Sequence, residues 1–161
     1  MIKKIKLNNF KSHKETEIKI GNLTVLCGSN GAGKSSLIQI LLLLREAFLK
    51  DKSFDILDLK SNPIKIGIVN DAVYQFGEYD GFKVFLEFAD FNCNFHYEAN
   101  SEDDKVKSYI RLNKEKIINN ESFNLEDDVL TSKIFSSQSL FNCNFQYLSA
   151  ARFGCKAFRL S

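Results

Sequence analysis

The sequence predicts an α/β fold in which a strand, a glycine-rich loop and a long helix precede an antiparallel meander of strands. Three observations support this prediction. In residues 23–44, LTVLCGSNGAGKSSLIQILLLL, a glycine-rich turn lies between two apolar runs. Apolar and polar residues alternate before this stretch, and again in residues 82–88 and 91–97, with the periodicity of half-buried strands. With 161 residues, 44% of them apolar, the chain is long enough for one domain with its own core.

Two strands are predicted at the start of the chain. Ile5 and Leu7, then Ile18 and Ile20, alternate with lysines and glutamates on either side of a turn near residues 12–14. A Gly-Asn pair at residues 21 and 22 ends the second strand. The apolar residues 23–27 are predicted to form a third strand, which is buried and leads into the glycine-rich loop.

The loop itself fits a phosphate-binding pattern. Residues 28–35 have the Walker A spacing of Gly, four residues, then Gly-Lys-Ser. Glycines allow backbone N–H groups to wrap closely around a phosphate, in conformations where a Cβ would clash. Lys34 adds a positive charge for the outer phosphates, Ser35 offers a hydroxyl to magnesium, and the following helix points its positive end at the same place. The predicted nucleotide-binding residues are Gly28, Ser29, Asn30, Gly31, Ala32, Gly33, Lys34, Ser35 and Ser36.

The residues that fill this loop, Ser-Asn-Gly-Ala-Gly-Lys-Ser-Ser, resemble the loop of ABC-type ATPases. The first fifty residues are similar to the start of AAA family ATPases of the SMC, RecF and OLD-like group. This resemblance implies a P-loop NTPase with an ABC-ATPase-type first lobe, built from a mixed sheet, a Walker A helix and an antiparallel accessory meander. It implies ATP and magnesium as ligands. A GTPase would need Asn-Lys-x-Asp, and the nearest string, residues 113–116, lacks the aspartate.

The turn before the loop adds one further residue to the predicted nucleotide-binding site. In the SMC-like and RecF-like heads an Asn-Phe-basic-Ser turn lies beside the nucleotide, and residues 9–12 of this chain read Asn-Phe-Lys-Ser. The resemblance therefore implies that Lys11 contacts phosphate. A lysine in such a turn is equally well explained as a solvated surface residue, and the sequence does not separate the two interpretations.

The chain is predicted to form a single ATP-binding domain over residues 1–161, in three parts. Residues 1–61 hold the first strands, the loop and a helix that ends near Lys50 or Lys52, and residues 62–124 hold the meander. Residues 125–161 hold a helix and a strand that lead to a missing second lobe. Two near-identical heptapeptides, FNCNFHY from Phe91 and FNCNFQY from Phe141, both show strand periodicity.

The last strand resembles a segment of bacterial phage-defence ATPases. Residues 147–152 read Tyr-Leu-Ser-Ala-Ala-Arg, similar to the Tyr-Leu-Ser-Ala-x-Arg of Septu-like systems. The arginine, Arg152, either approaches phosphate or a partner subunit, or pairs with a surface carboxylate. Gln138 and Gln146 are two alternatives for the glutamine loop of the ABC-type site.

Several groups that ABC-type hydrolysis requires are not found in the sequence. No run of four apolar residues is followed by Asp-Glu, the Walker B pattern that holds the magnesium shell and activates water. No signature loop is found, and His13 and His96 lie too early for the switch histidine. We therefore expect hydrolysis to need a second lobe or a homodimer partner, whether the chain is truncated or split. Glu87 or Glu98 acting as an unorthodox base is the competing idea.

The composition of the chain bears on its partners, on metal binding and on its location. A net charge of +2, from 22 basic and 20 acidic residues, gives no overall field that demands nucleic acid, although the resemblance allows a DNA or nuclease partner. Four cysteines without a C-x-x-C pair exclude a common zinc spacing. No signal peptide or membrane-length apolar run is found, so a cytoplasmic location is expected. A binding-only or degenerate remnant of a DNA-repair or phage-defence ATPase is the alternative function.

Overall fold

The computed structural model describes residues 1–113, 117–119, 128–151 and 154–158, in two compact units. The first unit spans Ile2–Asn124, and the second spans Leu125–Ser161 together with Met1. In chain order the first unit contains β1 (Ile2–Phe10), β2 (His13–Lys19), α1 (Lys34–Asp51), β3 (Ile56–Asp58), α2 (Val69–Ala72), β4 (Gly81–Phe88), β5 (Asn92–Glu98), α3 (Glu102–Lys105), β6 (Tyr109–Leu112) and β7 (Ile117–Asn119).

The strands of the first unit form one seven-stranded sheet in the order β2-β1-β4-β5-β6-β3, with β7 also paired to β5. Every pairing among the described strands is antiparallel. The predicted mixed sheet is therefore wrong for the described residues; short turns make β1–β2 and β4–β5 antiparallel hairpins, and the non-consecutive pairs β1–β4 and β3–β6 are antiparallel as well. The predicted hairpin and the β4–β5 part of the meander are present, and β1 joins them into one sheet by pairing with both β2 and β4.

The predicted third strand, residues 23–27, is not a strand. The segment has no regular secondary structure and joins no described sheet, and Leu23 and Val25 are 85% and 71% exposed. An apolar run predicts burial, but a strand also needs backbone pairing with a neighbour, and none of the described strands pairs with this segment. Residues 64–68 also form no strand, and α2 begins at Val69.

The core of the first unit lies between α1 and one face of the sheet. Phe48 of α1 stacks on Phe54 at 5.4 Å between ring centroids, and Phe54 meets Phe95 of β5 at 4.8 Å. The Tyr97 hydroxyl donates a hydrogen bond of 2.8 Å to the Phe54 carbonyl, so this buried polar group is satisfied. The helix ends at Asp51, where the sequence predicts, and Lys52 closes it in the left-handed conformation. This packing fixes α1 and therefore the loop before it.

The second unit contains α4 (Asp128–Ser136), a 3₁₀ helix (Ser139–Phe141), β8 (Tyr147–Ala151) and β9 (Gly154–Phe158), and β8 pairs with β9. The heptapeptide from Phe91 forms most of β5, as predicted. Its near-copy from Phe141 is mostly turn and loop, with an exposed Cys143, so its predicted strand is wrong. The first copy is a strand because β4 pairs along its edge; no described strand pairs with residues 141–146.

Candidate functional site

The loop between residue 27 and α1 has a backbone that only glycine adopts easily at three positions. Gly28, Gly31 and Gly33 have φ angles of +151°, +87° and +83°. These angles lie in the region that side chains with a Cβ rarely occupy. Helix α1 begins directly afterwards, and the Leu37 N–H donates to the Gly33 carbonyl at 3.2 Å. The loop therefore has the conformation that the glycine spacing predicts, at the positive end of a helix.

The side chain of Lys34 lies back across the loop. Its Nζ donates to the carbonyl oxygens of Gly28 and Ser29, at 2.7 and 2.6 Å. The Ala32 N–H also donates to the Ser29 carbonyl, at 3.3 Å. An ammonium group is thus held against the loop by acceptors that a bound anion would replace. The first turn of α1 carries no acidic residue to oppose it.

The turn between β1 and β2 packs against the last glycine of the loop. His13 is buried, and its Nε2–H donates to the Gly33 carbonyl at 3.0 Å, because a carbonyl can only accept. The other ring nitrogen, Nδ1, then accepts from the Thr16 hydroxyl at 2.9 Å. The sequence pattern assigns no role to His13, which lies too early for the switch histidine. Its contact with Gly33 spans twenty residues, and nothing in the sequence pattern signals it.

Asn9 connects the same turn to the segment before β4. It is 3% exposed, has a φ of +62°, and its Nδ2 donates to the carbonyls of Tyr79 and Gly81 at 2.8 and 2.6 Å. Its own carbonyl accepts from the Tyr74 N–H at 2.9 Å, and the Lys11 N–H donates to the Ala72 carbonyl at 2.8 Å. In the sequence, Asn9 stands out only as the first residue of the turn motif. Its left-handed conformation explains why an asparagine suits this position.

Replacing Asn9 with alanine is expected to lower the free energy of unfolding by about 3 kcal/mol, because two carbonyls lose their donor and alanine strains the left-handed backbone. Urea unfolding of the variant measures this change. An exposed asparagine, Asn22, provides the control, and Asn22→Ala is expected to change stability little. Equal stabilities of the two variants would contradict the anchoring role of Asn9.

The loop, the turn and the segment 70–80 line one cleft of about 910 Å³. Its lining residues are Lys11, Ser12, Asn30, Gly31, Gly33, Lys34, Ser35, Ser36, Asn70, Asp71, Val73, Tyr74, Gln75, Phe76, Gly77, Tyr79 and Asp80. Seven of the ten predicted binding residues are among them, including Lys11. Of the other three, Gly28 and Ser29 hold the Lys34 ammonium, and Ala32 only bonds within the loop.

The profile of the AAA ATPase domain family matches residues 1–159. The chain belongs to this AAA ATPase family. A second comparison found the DNA double-strand break repair Rad50 ATPase of Sulfolobus acidocaldarius, which is 49% identical over 43 residues. That match covers 26% of this chain and 5% of the Rad50 protein. No solved structure shows significant similarity. The two matches confirm the resemblance to SMC-like and RecF-like AAA ATPases that the loop residues indicated.

The carboxylates considered as bases do not line the cleft of this AAA ATPase domain. Glu87 pairs with Lys4 at 2.9 Å, and the Glu98 carboxylate accepts from the Asn113 side chain at 2.8 Å. Two other carboxylates do line it. Asp71 accepts from the Ile68 N–H at 3.2 Å, and Asp80 pairs with Lys105 at 2.9 Å. Each of these four carboxylates therefore already has a hydrogen-bond or ion-pair partner.

The Tyr79 side chain lines the cleft and is partly buried. Burial raises the pKa of the Tyr79 phenol, and the Glu98 charge adds to the effect. The phenol therefore stays neutral, and it donates a hydrogen bond of 2.8 Å to Asn8 Oδ1. Tyr79 thus serves as a fixed part of the cleft wall.

The remaining predicted residues of the AAA ATPase domain lie elsewhere. Gln138 and Gln146 belong to the second unit. Arg152 lies outside the described residues. Among the helices that the structure describes, none is both long and apolar enough to cross a membrane.

Proposed function

We propose that the chain is the ATP-binding lobe of an SMC-like AAA ATPase and that it binds ATP with magnesium through residues 28–36 and Lys11. The observation that carries this proposal is the Lys34 ammonium, held inside a loop of three left-handed glycines at the start of α1. A phosphate placed there would accept from the ammonium and from loop N–H groups, and it would lie at the positive end of the helix.

The residues present fit a triphosphate. Gly28 and Ser29 carbonyls now accept the two Lys34 hydrogen bonds, and phosphate oxygens are stronger, charged acceptors for the same ammonium. The Lys11 side chain, on the neighbouring turn, lines the same cleft and would add a second positive charge. The contact of Lys11 with phosphate is part of the proposal.

Ser35 would hold the magnesium ion. Both Ser35 and Ser36 line the cleft, but Ser35, one residue into α1, is exposed, whereas Ser36 is only 7% exposed. Oxygen ligands suit magnesium, which keeps several waters and shares the phosphates of a nucleotide. When bound, the ion would neutralise charge on the outer phosphates.

Replacing Lys34 with alanine is expected to weaken binding of ATP with magnesium about tenfold or more, equivalent to about 1.4 kcal/mol, because the ammonium is lost from the loop. Titration calorimetry on both proteins measures this. Lys60→Ala is the charge-matched control, since Lys60 is exposed and does not line the cleft. Equal affinities for wild type and Lys34→Ala, or no binding by folded wild type, would refute the proposal.

We propose that hydrolysis requires Walker B and signature elements supplied by a second lobe or by a second copy in a homodimer. The engagement of Glu87 and Glu98 outside the cleft supports this. The same observation favours the second candidate, a binding-only or degenerate remnant. The matched Rad50 protein is named for DNA double-strand break repair, and we propose for this chain a DNA or nuclease partner and a role as a cytoplasmic ATPase of DNA repair or phage defence.

A further inference from the structure

An exposed aromatic side chain lines the cleft in the segment 70–80. The Phe76 ring is 74% exposed, a large apolar surface left in water at a site bordered mostly by polar groups. Tyr74, also in the cleft, meets it edge to face with ring centroids 5.7 Å apart and an interplanar angle of 70°. The edge contact leaves the Phe76 ring able to accept a flat partner on its face.

The backbone under these rings is fixed by the β1 end of the sheet. The Tyr74 N–H donates to the Asn9 carbonyl at 2.9 Å, and the Gly77 N–H donates to the Tyr74 carbonyl at 3.0 Å, which closes a tight turn around Phe76. A Cβ on Gly77 would lie 2.0 Å from Asn9 Oδ1, so this turn sits directly on the buried asparagine. The turn is therefore held in place before any ligand arrives.

The cleft is larger than a phosphate chain requires. Its volume of about 910 Å³ is at the upper end of the range for pockets that enclose whole small ligands. The loop and the turn that carries Lys11 supply the cationic part of the lining, and the segment 70–80 supplies the aromatic rings together with polar residues that include Asp71 and Asp80. A ligand with a charged tail and a flat aromatic group matches both parts.

We propose that Phe76, supported by Tyr74, is the surface on which the nucleobase of the bound nucleotide stacks. The inference rests on the proposed function, because the phosphate loop sets where the charged end of the ligand lies. Stacking uses the flat face of a base and is worth a substantial part of the affinity for nucleotides. Covering the exposed ring also removes apolar surface from water.

The test compares ATP with inorganic tripolyphosphate, which has the phosphates but no base, in titrations with magnesium. Phe76→Ala is expected to weaken ATP binding about tenfold and to leave tripolyphosphate binding unchanged, because only the stacking surface is removed. Phe76→Tyr is expected to bind ATP like the wild type. Ile56→Ala is the control for loss of an exposed apolar side chain, since Ile56 is 45% exposed and does not line the cleft.

The outcomes separate this inference from the proposed function. If wild type binds neither ATP nor tripolyphosphate, the proposed function fails and the stacking surface fails with it. If wild type binds both and Phe76→Ala binds ATP equally well, only the stacking surface is refuted. An equal loss of both ligands in Phe76→Ala would also refute it, because the ring would then support the whole site rather than the base.

Discussion

Replacing Gly33 with alanine is expected to abolish measurable binding of triphosphate, a loss on the order of a hundredfold or more, equivalent to about 2.7 kcal/mol. An ideal Cβ at this position would lie 2.5 Å from His13 Nε2 and 2.6 Å from Ser12 Oγ. The φ of +83° adds backbone strain. His13 cannot easily move aside, because it is buried and held by hydrogen bonds at both ring nitrogens. The loop would have to shift away from the turn.

Gly31 provides the matched control for this prediction. Its φ of +87° is nearly the same, but a Cβ there would meet no atom within 4 Å. Gly31→Ala is therefore expected to cost only the backbone strain, about 1–2 kcal/mol. Gly33→Ala adds to a similar strain the steric clash of its Cβ with the His13 turn. Titration calorimetry and thermal unfolding of both variants measure the two effects. If the two variants behave alike, the contact between the loop and the His13 turn does not shape the site.

The isolated chain is expected to hydrolyse ATP no faster than its Lys34→Ala variant, even at saturating ATP. Most of the rate of phosphoryl transfer comes from positioning water and stabilising charge, and the sequence shows no Walker B carboxylates for this purpose. Adding the proposed second lobe in trans is expected to raise turnover by orders of magnitude and to make it depend on Lys34. A phosphate-release assay measures both.

The competing idea assigns the base to Glu87 or Glu98. Robust hydrolysis by the purified chain, lost in Lys34→Ala, would refute our expectation and support that idea. Glu87→Gln and Glu98→Gln then identify the residue, because the amide keeps the shape of the side chain and removes the basic oxygen. The ion pair of Glu87 with Lys4 and the Asn113 hydrogen bond to Glu98 are the reasons we expect neither to act.

Local signals predicted the loop, α1 and the central strands. Three glycines at fixed spacing specify a turn that other residues disfavour, the apolar run directly after the loop predicts α1, and the alternation of apolar and polar residues predicts β4. The first fifty residues also carried enough of the loop and turn motifs to indicate the family. These features depend on neighbours in sequence, so a single sequence is sufficient to predict them.

Contacts between distant residues were not predictable in this way. The heptapeptides from Phe91 and Phe141 share six of seven residues, yet only the first is a strand, because its partner strand is folded beside it. Asn9 and His13 acquire their roles from carbonyls at residues 79, 81 and 33. Neither the alternation of apolar residues nor the spacing of a motif identifies a partner that is so distant in the sequence. The aromatic part of the cleft was missed for the same reason.

The exposed segment 23–27 makes the two ends of the loop unequal in conformational entropy. At the Gly33 end, α1 and His13 already restrict the backbone, so ligand binding loses little freedom there. At the Gly28 end, the chain enters from a segment that pairs with no described strand, and the described restraints there are the Lys34 hydrogen bonds to Gly28 and Ser29, which a phosphate would replace. Ordering one residue costs about 1–2 kcal/mol. The entropic cost of closing the loop on a phosphate therefore falls mainly on its first residues, and any partner strand that paired with 23–27 would lower that cost and raise the affinity for nucleotide without contacting it.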